Sequence, residues 1–86
     1  MYTVYILRTD KNTLYTGQTN DLEKRLKQHG VGKGAKYMRA FKTFELVYTE
    51  ELATLSQALK REWEIKQMAK EKKEELVAQA AAIRDA

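Results

Sequence analysis

The chain has 86 residues, contains no cysteine and a single histidine, and carries a formal net charge of +4 at pH 7. Without cysteine it forms no disulfide framework, no thiolate zinc site and no thiol nucleophile, and one histidine excludes a histidine-rich metal site. Any bound metal would therefore be held by carboxylate, carbonyl and water oxygens, which favours Mg²⁺ or Mn²⁺.

The chain also lacks the signals of a membrane or multidomain protein. No apolar run approaches the ~20 residues of a transmembrane helix, and residues 1–10 have neither the basic start nor the cleavage site of a signal peptide. There is no repeat, proline or low-complexity linker. We therefore expect a cytoplasmic protein with no membrane partner and a single domain over residues 1–86, with a core of 2–68 and a C-terminal helix, 70–86, packing on it.

The first two predicted elements form a β-hairpin. Residues 2–8 (YTVYILR) and 13–19 (TLYTGQT) are rich in β-branched and aromatic side chains and flank a polar turn. A three-residue loop over residues 10–12 is favoured, because Asn12 tolerates the left-handed conformation that such loops require.

The loop length decides which side chains share a face of the sheet. A three-residue loop pairs Tyr5 with Gly17 and Leu7 with Tyr15, since directly opposed residues point to the same side. Tyr5 and Tyr15 then lie diagonally on one face, and Gly17 leaves open space across from Tyr5. A four-residue loop would put the two tyrosines on opposite faces.

The first helix is predicted to start at an Asn20 cap, with Glu23 completing a capping box, and to run to His29 before Gly30. At about 100° per residue, Arg25 and His29 fall on the same inward stripe as two leucines. The arginine could extend past the leucines to solvent, and the histidine could bond a carbonyl. A functional role for both is the other interpretation.

A basic segment follows, within which a short helical turn is predicted over residues 35–41. Between positions 24 and 42 there is no acidic residue. A stretch of one sign is typical of a polyanion-binding face, although an ordinary solvated surface is the alternative. The basic residues are Lys24, Arg25, Lys27, Lys33, Lys36, Arg39 and Lys42.

The C-terminal half is predicted to contain a strand over residues 44–50, a helix capped by Thr54 and Gln57, and a second helix over 69–86. The order is ββα, a short helix, β, then two helices. This predicts an α+β fold with a small three-stranded antiparallel sheet flanked by helices.

A glutamate interrupts the apolar face of the helix after Thr54. Glu62 lies inside that arc, and an unpaired carboxylate there costs several kcal/mol, so it should have a partner. An ion pair with Lys66, a pair with Arg25 and a metal ion are the alternatives. The apolar face is predicted to comprise Leu55, Ala58, Leu59, Trp63, Ile65 and Ala69.

Two tyrosines, an arginine, a histidine and a glutamate facing inward suit phosphodiester hydrolysis. The reaction needs a base near a water, a cation for the negative charge of the pentavalent phosphorane, and a divalent metal for the leaving oxygen. The basic segment would hold the nucleic-acid backbone.

The motifs resemble a known nuclease superfamily. "VYI" at residues 4–6, followed about ten residues later by "YTG" at 15–17, resembles the paired motif of the GIY-YIG superfamily. Arg25, His29 and Glu62 match its arginine, its His or Tyr one turn later, and its helical glutamate. The resemblance spans residues 2 to about 68 and is greatest to small, stand-alone, YazA-like bacterial members.

This resemblance implies a Mg²⁺- or Mn²⁺-dependent endonuclease that cuts DNA, directed by structure or damage, as in DNA repair, rather than by sequence. Glu62 would hold the metal and Arg25 would contact the scissile phosphate. Tyr5 and Tyr15 would position and deprotonate the water, or one of them would do so while the other binds phosphate, with His29 as the alternative base. Any larger repair or recombination partner stays open.

The residues predicted to bind DNA are Gly17, Gln18, Lys33, Lys36, Tyr37 and Arg39. Gln18 stands where some relatives carry lysine, which weakens one phosphate contact. The chief alternative is a non-catalytic DNA-binding module that keeps the fold and the basic face. A third interpretation, a helix-mediated interaction through residues 70–86, is compatible with either.

Overall fold

The computed structural model describes residues 1–30 and 43–85. They form one antiparallel sheet in the order β2-β1-β3 with three helices, which confirms the predicted α+β fold. No helix in these two ranges is long and apolar enough to cross a membrane. The predicted turn over residues 35–41 lies outside the described residues. The elements are β1 (Tyr2–Thr9), β2 (Leu14–Thr19), α1 (Leu22–Gly30), β3 (Phe44–Leu52), α2 (Leu55–Gln67) and α3 (Lys70–Asp85).

The hairpin has the predicted three-residue loop and register. The Thr9 amide donates to the Thr13 carbonyl at 2.9 Å and encloses residues 10–12. Asn12 has φ 60, the left-handed conformation that its short polar side chain tolerates. Tyr5 pairs with Gly17 two rungs from the pair of Leu7 and Tyr15. Both tyrosines therefore point to the same face of the sheet.

Each face of the central strand has its own apolar cluster. Val4 and Ile6 are fully buried on one face, while Tyr5 and Leu7 are buried on the other. Because side chains alternate along a strand, β1 supplies both clusters at once. The first cluster packs against side chains of β3, α2 and α3, among them Val47, Ala58, Ile65, Leu76 and Val77. The second packs against β2, α1 and β3 through Tyr15, Leu22, Leu26, Phe44 and Leu46.

One predicted helix cap is confirmed and the other is wrong by one residue. α2 begins with a capping box. The Thr54 side chain accepts a hydrogen bond from the Gln57 backbone amide, and the Gln57 side chain accepts one from the Thr54 backbone amide. In α1 the Asp21 carboxylate, and not the Asn20 side chain, accepts a hydrogen bond from the backbone amide of Lys24 at 3.1 Å. Both residues are good caps. The Asp21 amide is itself held by the Thr19 hydroxyl at 3.1 Å, which places Asp21 at the cap.

The predicted apolar face of α2 is only partly buried. Ala58 and Ile65 are fully buried, but Leu55, Leu59 and Trp63 are 44%, 47% and 63% exposed. The prediction was wrong here because it assumed one wide inward arc. A three-stranded sheet covers only the narrow side of the helix that Ala58 and Ile65 share.

The helix α3 is fastened to the hairpin by a polar cluster. Arg8 donates two hydrogen bonds to the Glu74 carboxylate, at 2.9 and 2.6 Å, and a third to the Asn12 side chain at 2.7 Å. These bonds hold the pKa of Glu74 below its ordinary value. Lys70 donates to the Asn12 carbonyl at 2.8 Å. The start of α3 is therefore fixed to the loop of the hairpin.

One buried hydroxyl in β2 has no partner among the described residues. Thr16 is 3% exposed, and its Oγ1 makes no hydrogen bond within residues 1–30 and 43–85. A buried unsatisfied hydroxyl costs roughly 1–3 kcal/mol, and valine has the same shape without it. We expect Thr16→Val to raise the free energy of unfolding by about 1 kcal/mol, measured by urea denaturation.

The matched control is Thr9→Val, at a buried threonine whose hydroxyl bonds the Thr13 hydroxyl at 2.6 Å and accepts from the Thr13 amide at 3.2 Å. That substitution should lower the urea midpoint. A lower midpoint for Thr16→Val as well would show that the Thr16 hydroxyl is satisfied in solution.

Candidate active site

The candidate site is built around the contact between Tyr5 and Gly17. The Tyr5 ring is 1% exposed and lies directly over the glycine. A Cβ atom at position 17 would lie 2.5 Å from the Tyr5 hydroxyl oxygen and 2.7 Å from the adjacent ring carbon. No side chain larger than hydrogen fits at this distance without displacing the ring, so glycine allows the phenol to approach β2 closely.

Three other predicted residues act electrostatically on the Tyr5 hydroxyl. Burial is the main cause that raises the pKa of Tyr5 to about 12, and Tyr15 and Glu62 raise it further. Arg25 acts in the opposite direction and lowers it. The fold therefore brings together groups from β1, β2, α1 and α2. At neutral pH the Tyr5 phenol therefore keeps its proton.

Arg25 lies in a surface cleft at the end of the sheet where β1 begins and β2 ends. The cleft has a volume of about 260 Å³. The Arg25 side chain is half-buried, in keeping with the predicted inward stripe of α1. Leu55, the first residue of α2, also lines the cleft. The lining residues are Tyr2, Gln18, Thr19, Asn20, Arg25 and Leu55.

Glu62 is a half-buried carboxylate with one weak ion pair. Its side chain is 19% exposed, and Oε2 lies 3.4 Å from Nζ of Lys66 one turn later. This is one of the partners predicted for it. The lysine side chain is 50% exposed, and an exposed i,i+4 pair contributes only about 0.3–0.5 kcal/mol. The carboxylate is thus available to a stronger cation.

Some predicted site residues cannot be placed. His29 lies in the last turn of α1, but its side chain is outside the described part of the structure. Lys33, Lys36, Tyr37 and Arg39 also lie outside the described residues.

Other residues of the cleft were not predicted. Tyr2, Thr19, Asn20 and Leu55 line it with Arg25. The pairing of Thr3 with Thr19 is the signal that would have indicated some of them, because it places the start of β1 beside the end of β2.

Comparison with known proteins assigns the family. The sequence-family model of the GIY-YIG catalytic domain matches residues 1–75. The chain belongs to the GIY-YIG family. This GIY-YIG chain is 44% identical over 80 residues to the UPF0213 protein YhbQ of Escherichia coli K12, covering 93% of this chain and 80% of that protein. It is 48% identical over 75 residues to a UPF0213 protein of the archaeon Natronomonas pharaonis, covering 87% and 88%.

A solved structure supports the fold of the GIY-YIG chain. The solution NMR structure of the UPF0213 protein BH0048 from Bacillus halodurans aligns with a TM-score of 0.61 and 41% sequence identity. The alignment covers 92% of this chain and 85% of that one. The two proteins share the three-stranded sheet with three helices, and the predicted family is confirmed.

The close approach of Tyr5 to Gly17 yields a sharp prediction for the GIY-YIG chain. We expect Gly17→Ala to lower the free energy of unfolding by about 1–3 kcal/mol, because the added methyl group must displace a buried ring. Urea denaturation measures the loss. In a Tyr5→Ala background the same substitution should cost little, since the atoms it would meet at 2.5 and 2.7 Å are gone. Equal costs in both backgrounds would contradict the contact.

Proposed function

We propose that this GIY-YIG chain is a metal-dependent DNA endonuclease that hydrolyses phosphodiester bonds, directed by DNA structure or damage rather than by sequence. The observation that carries the proposal is that Arg25, Tyr15 and Glu62 all act electrostatically on the buried Tyr5 hydroxyl. These groups come from four separate elements, and Tyr5 itself lies against the glycine of the second motif. A cation, a carboxylate and two phenols at one place are the parts that phosphodiester hydrolysis requires.

Arg25 is the proposed phosphate ligand. Arg25 lines an open cleft that a DNA phosphate can enter. When the oxygen of water bonds to phosphorus and the bond to the leaving oxygen breaks, negative charge grows on the phosphoryl oxygens. A fixed cation stabilises that charge more than it stabilises the ground state.

The two tyrosines receive different roles. With its pKa raised to about 12, Tyr5 stays protonated at neutral pH and is a poor base, so its hydroxyl would donate a hydrogen bond that orients the water or a phosphate oxygen. The proton of the attacking water then passes to Tyr15 or to His29, which remain the two candidate bases.

The donor set fits Mg²⁺ or Mn²⁺ held by Glu62. No cluster of three or more metal-ligating His, Cys, Asp or Glu side chains occurs within residues 1–30 and 43–85. Mg²⁺ is often held by one or two carboxylates with water and substrate phosphate as its other ligands. When bound, the metal would stabilise charge on the leaving oxygen. Glu62 would exchange its weak pair with Lys66 for the metal.

DNA is the proposed partner, and the backbone-binding residues come from two places. Gly17 and Gln18 lie beside the cleft in β2, and the Gln18 side chain lines it. The basic residues Lys33, Lys36 and Arg39, together with Tyr37, are proposed to bind the phosphate backbone. A domain of this size has little surface for reading bases, which favours recognition of shape.

The test is incubation with supercoiled plasmid and with labelled branched DNA, in Mg²⁺, in Mn²⁺ and in EDTA. We expect nicking with either metal and none in EDTA, while salt-sensitive binding persists without metal. Binding without nicking under every metal condition would overturn the nuclease and leave a DNA-binding module. The absence of both binding and nicking would overturn the proposal altogether.

A further inference from the structure

Helix α2 exposes a stripe of large apolar side chains that the described ranges, 1–30 and 43–85, leave largely uncovered. Leu55, Leu59 and Trp63 are 44%, 47% and 63% exposed. They are spaced four residues apart, so they lie on one face of the helix over a length of about 12 Å. Exposing a tryptophan to water costs free energy, and three neighbouring exposed apolar side chains indicate a binding surface.

The stripe lies beside the proposed active site. Around the helix axis Glu62 is about 20° from Leu55 and about 100° from Trp63, while the buried side of α2 lies beyond Glu62 in the other direction. Leu55 also lines the cleft that contains Arg25. A strand of DNA bound with its phosphate at Arg25 therefore passes next to this stripe.

The chemistry of the stripe fits nucleobases. Lys66, whose side chain is 50% exposed, lies on the same face within about 60° of Leu59 and Trp63. An aromatic platform with a cation beside it is the usual way that proteins hold unpaired bases without reading their sequence. Three side chains are too few for a stable contact between two copies, which needs about 800 Å² on each partner.

We propose that Leu55, Leu59 and Trp63 form a base-stacking surface that takes unpaired nucleotides next to the scissile phosphate, with Trp63 as the stacking group. The inference rests on the proposed nuclease and narrows its substrate to DNA with unpaired bases at the cut. In a continuous duplex the bases are stacked on one another and present no face to Trp63.

Trp63 is the only tryptophan in the chain, so tryptophan fluorescence reports on binding at this surface. In EDTA, tryptophan emission and the anisotropy of labelled DNA would be followed with a gapped duplex and with a blunt duplex of the same sequence. We expect the gapped DNA, and not the blunt DNA, to quench the emission. Trp63→Ala should weaken binding of gapped DNA by about five- to hundredfold and leave blunt DNA unchanged.

Two further variants separate stacking from a merely structural effect. Trp63→Phe keeps an aromatic ring and should restore most of the affinity for gapped DNA. Ile83→Ala is the matched control, because Ile83 is 77% exposed on α3, away from the cleft, and should change nothing.

The possible failures are distinct. If gapped DNA binds and is cut while emission is unchanged and Trp63→Ala binds normally, the stacking surface is overturned and the nuclease stands. If sedimentation shows a dimer that Trp63→Ala dissociates, with no effect on DNA binding, the stripe is a contact between copies and the inference is wrong. If neither DNA binds, both proposals fail.

Discussion

Replacing Glu62 with glutamine should reduce Mg²⁺-dependent nicking by about a thousandfold, equivalent to about 4 kcal/mol of transition-state stabilisation. Glutamine preserves the size of the side chain and removes the charge that holds a divalent cation. Single-turnover cleavage of supercoiled plasmid measures the loss, with Mg²⁺ varied over a wide range. Raising the metal concentration should recover part of the rate if the charge acts through metal affinity.

The fold should tolerate this change. Glu62 is 19% exposed, and its pair with Lys66 at 3.4 Å is weak, so the urea midpoint should hardly move. Metal-free DNA binding should be unchanged or slightly tighter. Glu64→Gln is the matched control, since Glu64 is an exposed carboxylate on the same helix. A Glu62→Gln protein that nicks as fast as the wild type would remove Glu62 from the reaction.

The parts of the fold that were predictable are those governed by local chemistry. Asn12 fixes the length of the hairpin loop, and the loop length fixes that Tyr5 faces Gly17. The capping box of Thr54 and Gln57 sets the start of α2 in the same local way. At the start of α1 two adjacent good caps compete, and a bond from Thr19 decides between them. Helix-capping propensities of single residues do not include such a contact.

The parts that were not predictable depend on how the elements pack. Periodicity placed Leu59 and Trp63 on the buried face of α2, but the sheet reaches only the side with Ala58 and Ile65. The residues alone identified Glu62 as misplaced and offered three partners for it. Its position near Tyr5, 57 positions away in the chain, came from the resemblance and not from any local pattern.

The division of roles between the two tyrosines also needed the fold. Alternation along the strands placed both on one face but treated them alike. Burial over Gly17 raises the pKa of Tyr5, whereas Tyr15 lies on the edge strand and is only half-buried. The donor role proposed for Tyr5 and the base role proposed for Tyr15 therefore rest on their positions in the sheet, central for Tyr5 and at the edge for Tyr15.

Replacing Arg25 with alanine should lower kcat for nicking by about 10²–10³-fold, the usual loss when one donor to a developing oxyanion is removed. The charge it meets grows only as water attacks, so KM should change less than kcat. Arg25→Lys keeps the charge and loses the planar fork of donors. It should recover part of the rate, which a purely structural arginine would not explain.

Two measurements protect this prediction from loss of folding. The Arg25 stem is half-buried beside the leucines of α1, so its truncation also removes packing, and the urea midpoint of each variant must be recorded. Lys27→Ala is the matched control, because Lys27 is on the same helix, is 76% exposed and makes only an i,i+4 pair with Glu23 at 3.5 Å. If Lys27→Ala slows nicking as much as Arg25→Ala does, general positive charge on α1 is responsible. If only Arg25→Ala slows it while both proteins stay folded, the effect comes from a guanidinium held at the cleft.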